Sequence, residues 1–600
     1  MSAEFVVGID LGTTNSVVSY CRLDAETPEA SLLDIPQLVA ADAVETRPSL
    51  PSVWYLTREH EAAAFASALP WNSEPGFVIG EFARQQAAEH PERTIAAAKS
   101  WLAHASVDRR AKILPWQAPD EVAKISPVEA TRRYLQHLVA AWNDAFSESP
   151  LDQQMVVLTV PASFDASARE LTREAALEAG LPANLVLLEE PQAAVYAWLA
   201  DEGDNWRRHV NVGDRVLVCD VGGGTTDLSM IGVADHDGDL SLQRIAVGRH
   251  LLVGGDNMDL ALAHFVAAKF GEQGVQLNPW DSVSLWHSCR TAKESLLAED
   301  GKDSHKISIL GRGRSVIGGT KSIEVERTEV AALLTDGFFP LCEATDRPLR
   351  QRQSGFQQMG LPYETDTAVT KHVAAFVHDH QPADQPDQAP TLVLFNGGVF
   401  RSEALRNRML AAFTNWFPTP LVDLRSDLTE RNASLDQAVA CGAAFYGWSK
   451  HRGAIRIRGG TARSYYIGVE TAGLAIPGAP RPLKALCVVP FGMEEGTQTD
   501  IPSQEIGVVL GEPATFRFFS SSVRKEDQPG QMLSQWTDDE LSETDSMEAE
   551  LPAGADLEDP FVPVRFQSKV TELGVLELWC VSTNSDGRWK LEFSVRESTE

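Results

Sequence analysis

The sequence predicts an α/β fold over most of its length, followed by an all-β unit. Two segments carry this prediction, VVGIDLGTTNSVVSY around Asp10 and VLVCDVGGGTTDLSMIGV around Asp220. Each consists of an apolar strand, an aspartate, a glycine-rich turn and a second apolar strand, so the same motif occurs twice. The third observation is that apolar residues after Trp448 alternate in short runs without a long helical period. We therefore expect a repeated α/β unit and then a β-rich unit.

The glycine-rich turns are suited to binding a phosphate. Gly12 in the first turn and residues 222–224 in the second have no Cβ, so their backbone N–H groups can approach an anion closely. The hydroxyls of Thr13, Thr14 and Thr225 can donate hydrogen bonds to phosphate oxygens. Two such turns could hold one polyphosphate from both sides. Taken singly, each could equally be an ordinary β-hairpin whose glycines only satisfy the turn geometry.

Carboxylates accompany both turns. Asp10, Asp220 and Asp227 would repel a phosphate directly, so we expect a hydrated Mg²⁺ between them and the phosphates. An aspartate that closes a strand of valines and isoleucines is a poor choice for a core and a good one for a site. The chain has no GxxxxGK[ST] loop, which excludes a P-loop NTPase.

Length and composition indicate a protein of several structural units. The chain has 600 residues, and a prior of about 150 residues per domain allows three or four units. Its formal net charge of -32 argues against nucleic acid and anionic membranes as partners, because both require clustered Lys and Arg. Seven cysteines without CxxC spacing favour a reducing compartment, and we expect a cytoplasmic protein. The N-terminus lacks the basic region of a signal peptide, and no apolar run reaches the length of about 18 residues that a membrane helix needs.

Strand and helix patterns alternate between the two hairpins. Residues 94–105 and 127–146 carry apolar residues at helical spacing. Met155–Val160 is a predicted buried strand, and it is followed by a helix that Asp165 can cap and Gly180 can end. This order of elements is typical of an α/β scaffold.

The alternation continues on both sides of the second hairpin. A strand ending at Leu188 precedes two glutamates and a helix with Pro191 in its first turn. Downstream, one helix opens behind a Gly-Gly pair in GGDNMD, and a later strand leads through a second Gly-Gly turn into another helix. Residues 436–448 are a further predicted helix, and the Pro-, Gln- and Asp-rich residues 378–390 are a predicted loop.

The C-terminal quarter is predicted to be a β-sandwich or barrel. The basic, glycine-containing segment SKHRGAIRIRGGTAR marks a linker. The predicted strands that follow it are residues 464–470, 483–491, 505–510, 514–521, 561–570, 574–582 and 589–597. Residues 538–559 are dense in carboxylates and are expected to form a solvated loop.

These motifs, taken in order, resemble one family. GIDLGTTNS, VPASFDASAR, EEPQAA, DVGGGTTD, GGDNMD and the late strand-Gly-Gly-helix are similar to the DnaK-type heat-shock chaperones of the actin-like ATPase superfamily. The resemblance covers residues 5–450 and continues more weakly through the β-rich tail. It implies an α/β, two-lobed actin-like ATPase domain at residues 1–450, a linker at 451–463 and a β-sandwich substrate-binding domain at 464–600. The implied cofactors are ATP or ADP and Mg²⁺.

The resemblance also implies roles for individual residues. Asp10, Asp220 and Glu190 would hold Mg²⁺ through water. Lys99, Glu190, Thr225 and Asp227 would be catalytic, with Lys99 positioning the attacking water. The nucleotide would be bound by Gly12, Thr13, Thr14, Asn15, Gly222, Gly223, Gly224, Thr225, Gly254, Gly255, Lys293, Gly397, Gly398, Arg401 and Asp436.

Position alone offers ordinary explanations for several of these residues. Lys99 would be a solvated helix lysine, and Glu190 would compensate the charge of a helix N-terminus. Arg401 would be a surface arginine at a helix start, and Asp436 would cap a helix.

The chain departs from the family pattern in three places. Arg290, Glu294 and Leu297 stand where the family has a glutamate, an arginine and a serine, which predicts weaker nucleotide binding. The linker offers only Ile455 and Ile457 among arginines in place of a leucine-rich run, so we expect weak coupling between the domains. The chain ends soon after its last predicted strand, so we expect no helical lid over the sandwich.

The sequence therefore predicts an ATPase that forms ADP and phosphate and acts as a chaperone of the DnaK type. Expected partners are unfolded polypeptide clients and a J-domain co-chaperone or nucleotide exchange factor, but neither nucleic acid nor membrane. The alternative is a nucleotide-bound scaffold or co-chaperone with little turnover of its own. A filament-forming actin-like protein and a sugar kinase also share the hairpin pair, but the appended β-rich tail suits neither.

Overall fold

The computed structural model describes residues 3–593 apart from several internal gaps. The residues left out between these limits are 59–60, 62–64, 66–68, 72–75, 105–106, 237–238, 278, 299, 310–320, 350–360, 362, 381–388, 427–434, 453–456, 459–460, 462, 471–482, 494–496, 503–504, 510–512, 539, 545, 551–560, 572–575 and 586. Most of the predicted 378–390 loop, much of the acidic segment 538–559, and Ile455 thus lie outside the described residues.

The first half of the ATPase-like region contains eleven strands and five helices among the described residues. They are β1 Phe5–Leu11, β2 Asn15–Arg22, β3 Ser31–Leu32, β4 Ile35–Ala40, β5 Ala43–Arg47, β6 Leu50–Pro51, β7 Val53–Leu56, β8 Phe77–Ile79, α1 Glu81–Glu89, β9 Thr94–Ala96, α2 Ala98–Ala103, α3 Pro127–Ala145, β10 Met155–Val160, α4 Ala166–Glu178, β11 Val186–Glu189 and α5 Glu190–Glu202.

The second half begins with the second hairpin. Its elements are β12 Arg215–Val221, β13 Thr226–His236, β14 Asp239–Val247, α6 Gly255–Glu272, α7 Pro279–Leu297, β15 Ser304–Ile309, β16 Lys321–Glu326, α8 Arg327–Phe338, α9 Val369–Asp379, β17 Leu392–Asn396, α10 Glu403–Trp416, β18 Val422–Asp423, α11 Ala438–Arg452 and β19 Ile457–Arg458.

The two hairpins lie at the centres of two sheets with the same plan. The first sheet has the order β11-β10-β1-β2-β3, with β6 also paired to β2, and the second has the order β18-β17-β12-β13-β14-β19. In each, the first hairpin strand pairs antiparallel with the second strand of its hairpin and parallel with a later strand, β10 or β17. The repeated sequence motif therefore folds into two equivalent lobes, as the predicted α/β fold requires.

Local signals in the sequence fix several of these elements. Asp165 caps α4, since its side chain accepts a hydrogen bond from the Ala168 N–H at 2.7 Å. Gly180 has a φ of 97°, a left-handed conformation that favours glycine after a helix end. The predicted helix over 94–105 is wrong at its start, because Thr94–Ala96 pairs with β7 and Ala97 adopts a φ of 55° before α2.

Two helices cross between the lobes. α11 packs against α5 and against β1 so closely that small residues are required. A Cβ placed on Gly442 would lie 1.8 Å from the Ala193 carbonyl oxygen, and one on Gly8 would lie 2.3 Å from the Ala440 oxygen. The helix begins at Ala438 and continues to Arg452, two residues beyond the predicted limit of the ATPase domain.

The C-terminal part is a pair of packed sheets. Its strands are β20 Ser464–Glu470, β21 Leu483–Val489, β22 Gln498–Asp500, β23 Ile506–Val509, β24 Pro513–Phe516, β25 Phe518–Ser521, β26 Met532–Leu533, β27 Ser542–Glu543, β28 Met547–Glu550, β29 Phe561–Val570, β30 Leu576–Ser582 and β31 Arg588–Phe593. One sheet has the order β26-β21-β20-β25-β27, and the other has the order β22-β29-β30-β31-β28-β24 with β23 added to β29. Leu486, Phe518 and Phe566 belong to the apolar core that holds this β-sandwich together. Each of the predicted strand segments overlaps at least one of these strands.

The sandwich lies against the ATPase-like lobes. Arg463 Nη2 donates to the Ser163 carbonyl oxygen at 3.1 Å, and Lys525 Nζ donates to the Ile245 carbonyl oxygen at 3.1 Å. Ala166, at the start of α4, packs into the apolar core of the sandwich. The linker strand β19 pairs in parallel with β14, Ile457 beside Leu242. This pairing uses backbone atoms at a sheet edge and does not require leucine side chains. The strength of the coupling between the domains stays a prediction.

In the part of the chain that the structure describes, none of the helices combines the length and the apolar character needed to cross a bilayer.

Candidate functional site

The two glycine-rich turns face one another across the gap between the lobes. A Cβ on Gly223 would lie 1.8 Å from Thr14 Oγ1, and a Cβ on Gly224 would lie 3.0 Å from Thr13 Cγ2. Only glycine allows the turns to come this close. The predicted pair of turns is thus brought to one place by the fold.

A cleft of about 520 Å³ lies between the lobes at these turns. The predicted site residues that line it are Asp10, Gly12, Thr13, Thr14, Asn15, Lys99, Glu190, Asp220, Gly222, Gly223, Thr225, Asp227, Gly255, Lys293, Gly397, Gly398, Arg401 and Asp436. Gly224 and Gly254 support the walls instead. Gly254 packs on the second turn, where an added Cβ would lie 2.7 Å from the Gly222 oxygen.

Two aspartates end equivalent strands at the floor of the cleft. Asp10 Oδ1 accepts a hydrogen bond from Thr159 Oγ1 at 3.0 Å, and Asp220 Oδ2 accepts one from Asn396 Nδ2 at 2.7 Å. Burial raises the pKa of Asp10 above its ordinary value and raises the pKa of Asp220 to about 7. Carboxylates buried this close together are costly as free anions, and a bound cation would relieve that cost.

Lys99 and Glu190 form a buried ion pair beside these acids. The Lys99 side chain is only 10% exposed, and its Nζ contacts Glu190 Oε1. Burial raises the pKa of Glu190 to about 8 against the opposing effect of Lys99. Burial also disfavours the Lys99 ammonium, but the negative charges of Glu190 and Asp10 outweigh it and keep the Lys99 pKa above its ordinary value. The interpretation of Lys99 as a solvated lysine is wrong.

Asp227 stands on β13, beside the second turn, and lines the cleft. Its Oδ1 accepts a hydrogen bond from Ser163 Oγ at 2.6 Å, and His250 lies behind that serine. Burial opposes its ionisation, but the contacts with His250 and Ser163 outweigh this and hold its pKa below the usual range. The floor of the cleft thus combines one acid held ionised with others whose charge depends on what binds.

At its far end the cleft is lined by Lys293 and by two of the residues that depart from the family pattern, Glu294 and Leu297. Lys293 Nζ donates to the Gly255 carbonyl oxygen at 2.9 Å and pairs with Asp259 Oδ1 at 2.6 Å. Arg290 pairs with Asp259 Oδ2 at 2.9 Å and with Asp256, so it is occupied by protein carboxylates. Apolar side chains line this end: Leu297, Leu405 and Leu435.

Arg401 and Asp436 meet at the rim of the same end. Arg401 Nη1 donates to Asp436 Oδ2 at 2.8 Å, while its side chain remains 60% exposed. An exposed guanidinium beside an apolar pocket can stack on a planar ring.

The cleft contains unpaired polar atoms suited to a nucleotide. Thr14 Oγ1, Asn396 Oδ1 and Ser402 Oγ are buried and have no hydrogen-bond partner among the described residues. Buried polar atoms without partners are rare unless a ligand or water completes them. The hydroxyls and glycine N–H groups at one end fit a polyphosphate, and the carboxylates at the floor fit a hydrated divalent cation. The leucines at the other end fit a base.

Several residues that support this site were not predicted from the sequence. They are Thr159, Ser163, His250, Asn396 and Ser402. Asn396 carries a signal that could have revealed it, because it ends an apolar strand just as Asp10 and Asp220 do. The others are single polar residues whose roles depend on tertiary contacts.

Comparisons with known proteins agree with this geometry. The Hsp70 protein family model matches residues 59–356. The chain is 27% identical over 288 residues to the chaperone protein DnaK of Stenotrophomonas maltophilia, which covers 45% of this chain and 39% of that protein. It is 31% identical over 302 residues to the chaperone protein HscA homolog of Bordetella petrii, covering 49% of this chain and 42% of that protein. It is 32% identical over 305 residues to the HscA homolog of Burkholderia pseudomallei, again 49% and 42% of the two chains.

The matched segment therefore spans only about two fifths of each relative. The segment that the family model matches contains the part of the first lobe after residue 58 and the second hairpin with its glycine-rich turn. Two lobes of equal plan, a cleft between their hairpins and an appended β-sandwich agree with this similarity to Hsp70 proteins.

Proposed function

We propose that this chain is an ATP-dependent molecular chaperone of the DnaK type. The observation that carries the proposal is the cleft in which two glycine-rich turns face each other above buried carboxylates and Lys99. Its relatives DnaK and the HscA homolog are named as chaperone proteins. The reaction would be hydrolysis of ATP to ADP and phosphate.

Each part of the cleft has a chemical task in this proposal. The turns at Gly12 and Gly222 would cradle the phosphates, and Thr13, Thr14 and Thr225 would donate to their oxygens. The adenine ring would lie at the apolar end beside Arg401.

The acids would bind the cation and orient the reaction. Asp10, Asp220 and Glu190 would hold the water shell of Mg²⁺, which when bound supplies charge stabilisation of the phosphate oxygens. Asp227 is the acid that stays ionised, and it would orient the attacking water together with Thr225. Lys99 would bring a buried positive charge toward the transferring phosphoryl group.

The sandwich would be the substrate-binding part. Arg463, Lys525 and β19 contact the two lobes that border the cleft. A change in the angle between the lobes would alter these contacts and so the grip on an unfolded or apolar polypeptide. J-domain co-chaperones or nucleotide exchange factors would act as partners. All seven cysteines are free thiols, which favours the cytoplasm.

The decisive experiment is ATP turnover of the intact chain with and without an unfolded client peptide. We expect Mg²⁺-dependent turnover that the peptide stimulates. Asp10→Asn and Asp220→Asn should each lower turnover by about a hundredfold or more, since metal-linked charge stabilisation is lost. Unchanged turnover in either variant would remove the site assignment. Turnover that ignores the peptide would favour a nucleotide-bound scaffold instead of an allosteric chaperone.

A further inference from the structure

Three side chains form a hydrogen-bonded row behind the cleft. Ser163 Oγ lies 2.6 Å from Asp227 Oδ1 and 2.8 Å from His250 Nδ1. Ser163 and Asp227 are 5% and 4% exposed. The direct separation of His250 Nδ1 and Asp227 Oδ1 is 3.6 Å, which is too long for a hydrogen bond. The histidine therefore reaches the aspartate through the serine.

The direction of the hydrogen bonds follows from counting hydrogens. An ionised carboxylate only accepts, so Ser163 must donate its single hydroxyl hydrogen to Asp227. The serine oxygen can then only accept from His250, whose Nδ1 must carry a hydrogen. His250 Nε2 is buried and has no partner among the described residues, so the imidazole makes its hydrogen bond on the serine side.

The row joins the two lobes. Ser163 follows β10 in the first lobe, whereas Asp227 and His250 belong to the second. The backbone of Ser163 is held in turn by Arg463, the residue before β20, which donates to its carbonyl oxygen at 3.1 Å. Phe164 packs edge-on against the His250 ring, with centroids 6.2 Å apart. The hydrogen bond from Ser163 to Asp227 thus spans the two lobes in the relative position that they have here.

We propose that Ser163 and His250 are positioning residues for Asp227. Ser163 occupies Oδ1 and leaves Oδ2 as the oxygen available to the cleft, while His250 fixes the serine rotamer. Asp227 would then face the attacking water only when the lobes are closed on each other. This inference rests on the proposed ATPase function, in which Asp227 orients that water.

The test compares variants that remove each hydrogen bond with variants that keep it. Ser163→Ala removes the hydroxyl, and Ser163→Thr retains it. His250→Leu removes the Nδ1 donor, and His250→Asn retains an amide N–H at nearly the same place. His264→Leu, at an exposed position on α6, is the control for loss of a histidine. Single-turnover hydrolysis and the Kd for ATP are measured for each full-length variant.

We expect Ser163→Ala to slow the chemical step by about tenfold or more while the Kd changes by less than about twofold, because a hydrogen bond to a charged group is lost without loss of a phosphate contact. His250→Leu should also slow the chemical step. Ser163→Thr and His250→Asn should keep most of the parent rate. An unchanged Kd also shows that each variant is folded.

Asp227→Asn tests the proposed function separately from the positioning role of Ser163 and His250. If Asp227→Asn abolishes turnover but Ser163→Ala and His250→Leu hydrolyse ATP at the parent rate, the positioning role is wrong and the proposed function stands. The positioning role would also be wrong if Ser163→Thr and His250→Asn lost as much hydrolysis rate as Ser163→Ala and His250→Leu, since a general packing defect would explain equal losses. If the parent chain has no turnover at all, the proposed function fails and this inference fails with it.

Discussion

At the scale of single residues, the cleft is governed by the burial of charge. Asp10, Asp220 and Glu190 all have raised pKa values because burial disfavours their ionised forms. Lys99 contacts Glu190, and the pKa of its ammonium lies above the ordinary value in spite of burial. A bound cation would favour the ionised forms of these three carboxylates at neutral pH.

Lys99→Ala tests whether that lysine acts in the transition state. We expect turnover to fall by about a hundredfold or more, because a buried charge near the transferring phosphoryl group is lost. The Kd for ATP should stay close to that of the parent, since the contact matters mainly as charge develops.

The matched control is Lys306→Ala, at an exposed position on β15. It should change neither quantity. A Lys99→Ala variant that loses affinity and turnover equally would show that the lysine holds phosphate in the ground state.

His137 gives a pH dependence that is independent of the cleft. Its Nε2 donates to the Pro36 carbonyl oxygen at 2.9 Å, and burial lowers its pKa to about 4 from 6.5. Between these values the unfolded chain binds more protons than the folded one. The stabilisation is therefore fully present above about pH 6.5 and is lost as the pH falls toward 4.

The variant His137→Gln should remove this dependence while retaining an amide donor toward Pro36. Between pH 7 and pH 5 we expect the free energy of unfolding of the parent to fall by about 2 kcal/mol more than that of the variant. Urea unfolding at the two pH values measures the difference. His264→Gln, at an exposed position, is the control. If the free energy of unfolding fell equally in the parent and in His137→Gln, His137 would not be the source of the pH dependence.

The sequence predicted the members of the cleft better than their surroundings. Asp10 and Asp220 were identifiable because an acid at the end of an apolar strand conflicts with core formation. Ser163 and His250 were not, because neither residue conflicts with its local pattern. Their roles depend on contacts across 64 and 87 residues of sequence.

At the scale of elements, the crossing of α5 and α11 fixes how the lobes meet. The closest approach is at Gly442, where the α11 backbone touches Ala193 of α5. This close contact is possible because glycine has no side chain, and sequence periodicity alone does not reveal it. The start of the 94–105 segment was also predicted wrongly because of a tertiary contact. Thr94 and Ile95 pair with β7 in a sheet and not within a helix.

Gly442→Ala should destabilise the protein through this contact. The added methyl group would lie 1.8 Å from the Ala193 carbonyl oxygen, so the two helices must separate. Overpacking of this kind costs about 1–3 kcal/mol.

Gly271→Ala is the matched control, because this glycine lies in α6 with nothing within 4 Å of an added Cβ. It should be neutral or slightly stabilising, as alanine is the better helix former. Thermal unfolding of both variants would decide the matter. A Gly442→Ala variant as stable as the parent would show that the helices can separate without cost.

At the scale of the whole molecule, the sandwich and the lobes are connected by several small contacts. Glu189, at the end of β11, pairs with Arg169 of α4 at 2.5 Å and with Arg244 of β14, so it joins the lobes near the sandwich. The linker strand β19 extends the second-lobe sheet. The sequence predicted the two domain types but not their docking, because the docking uses backbone atoms and isolated basic side chains.

Peptide release tests whether these contacts carry a signal. A ligand shifts an equilibrium only by its differential affinity for the two states, so coupling requires docking that one nucleotide state favours. Since the sandwich docks through Arg463, Lys525 and β19, we expect release of a fluorescent apolar peptide to differ between ATP and ADP by about 5- to 150-fold, the usual range of such couplings.

The double variant Arg463→Ala, Lys525→Ala should reduce this ratio toward one without changing the Kd for ATP. Arg517→Ala, which removes an exposed ion pair with Glu543 within the sandwich, should leave the ratio unchanged. Stopped-flow measurement in both nucleotides gives the ratio directly. A parent chain with equal release rates would mean that docking is independent of the nucleotide, and the sandwich would then be attached to the two lobes without responding to them.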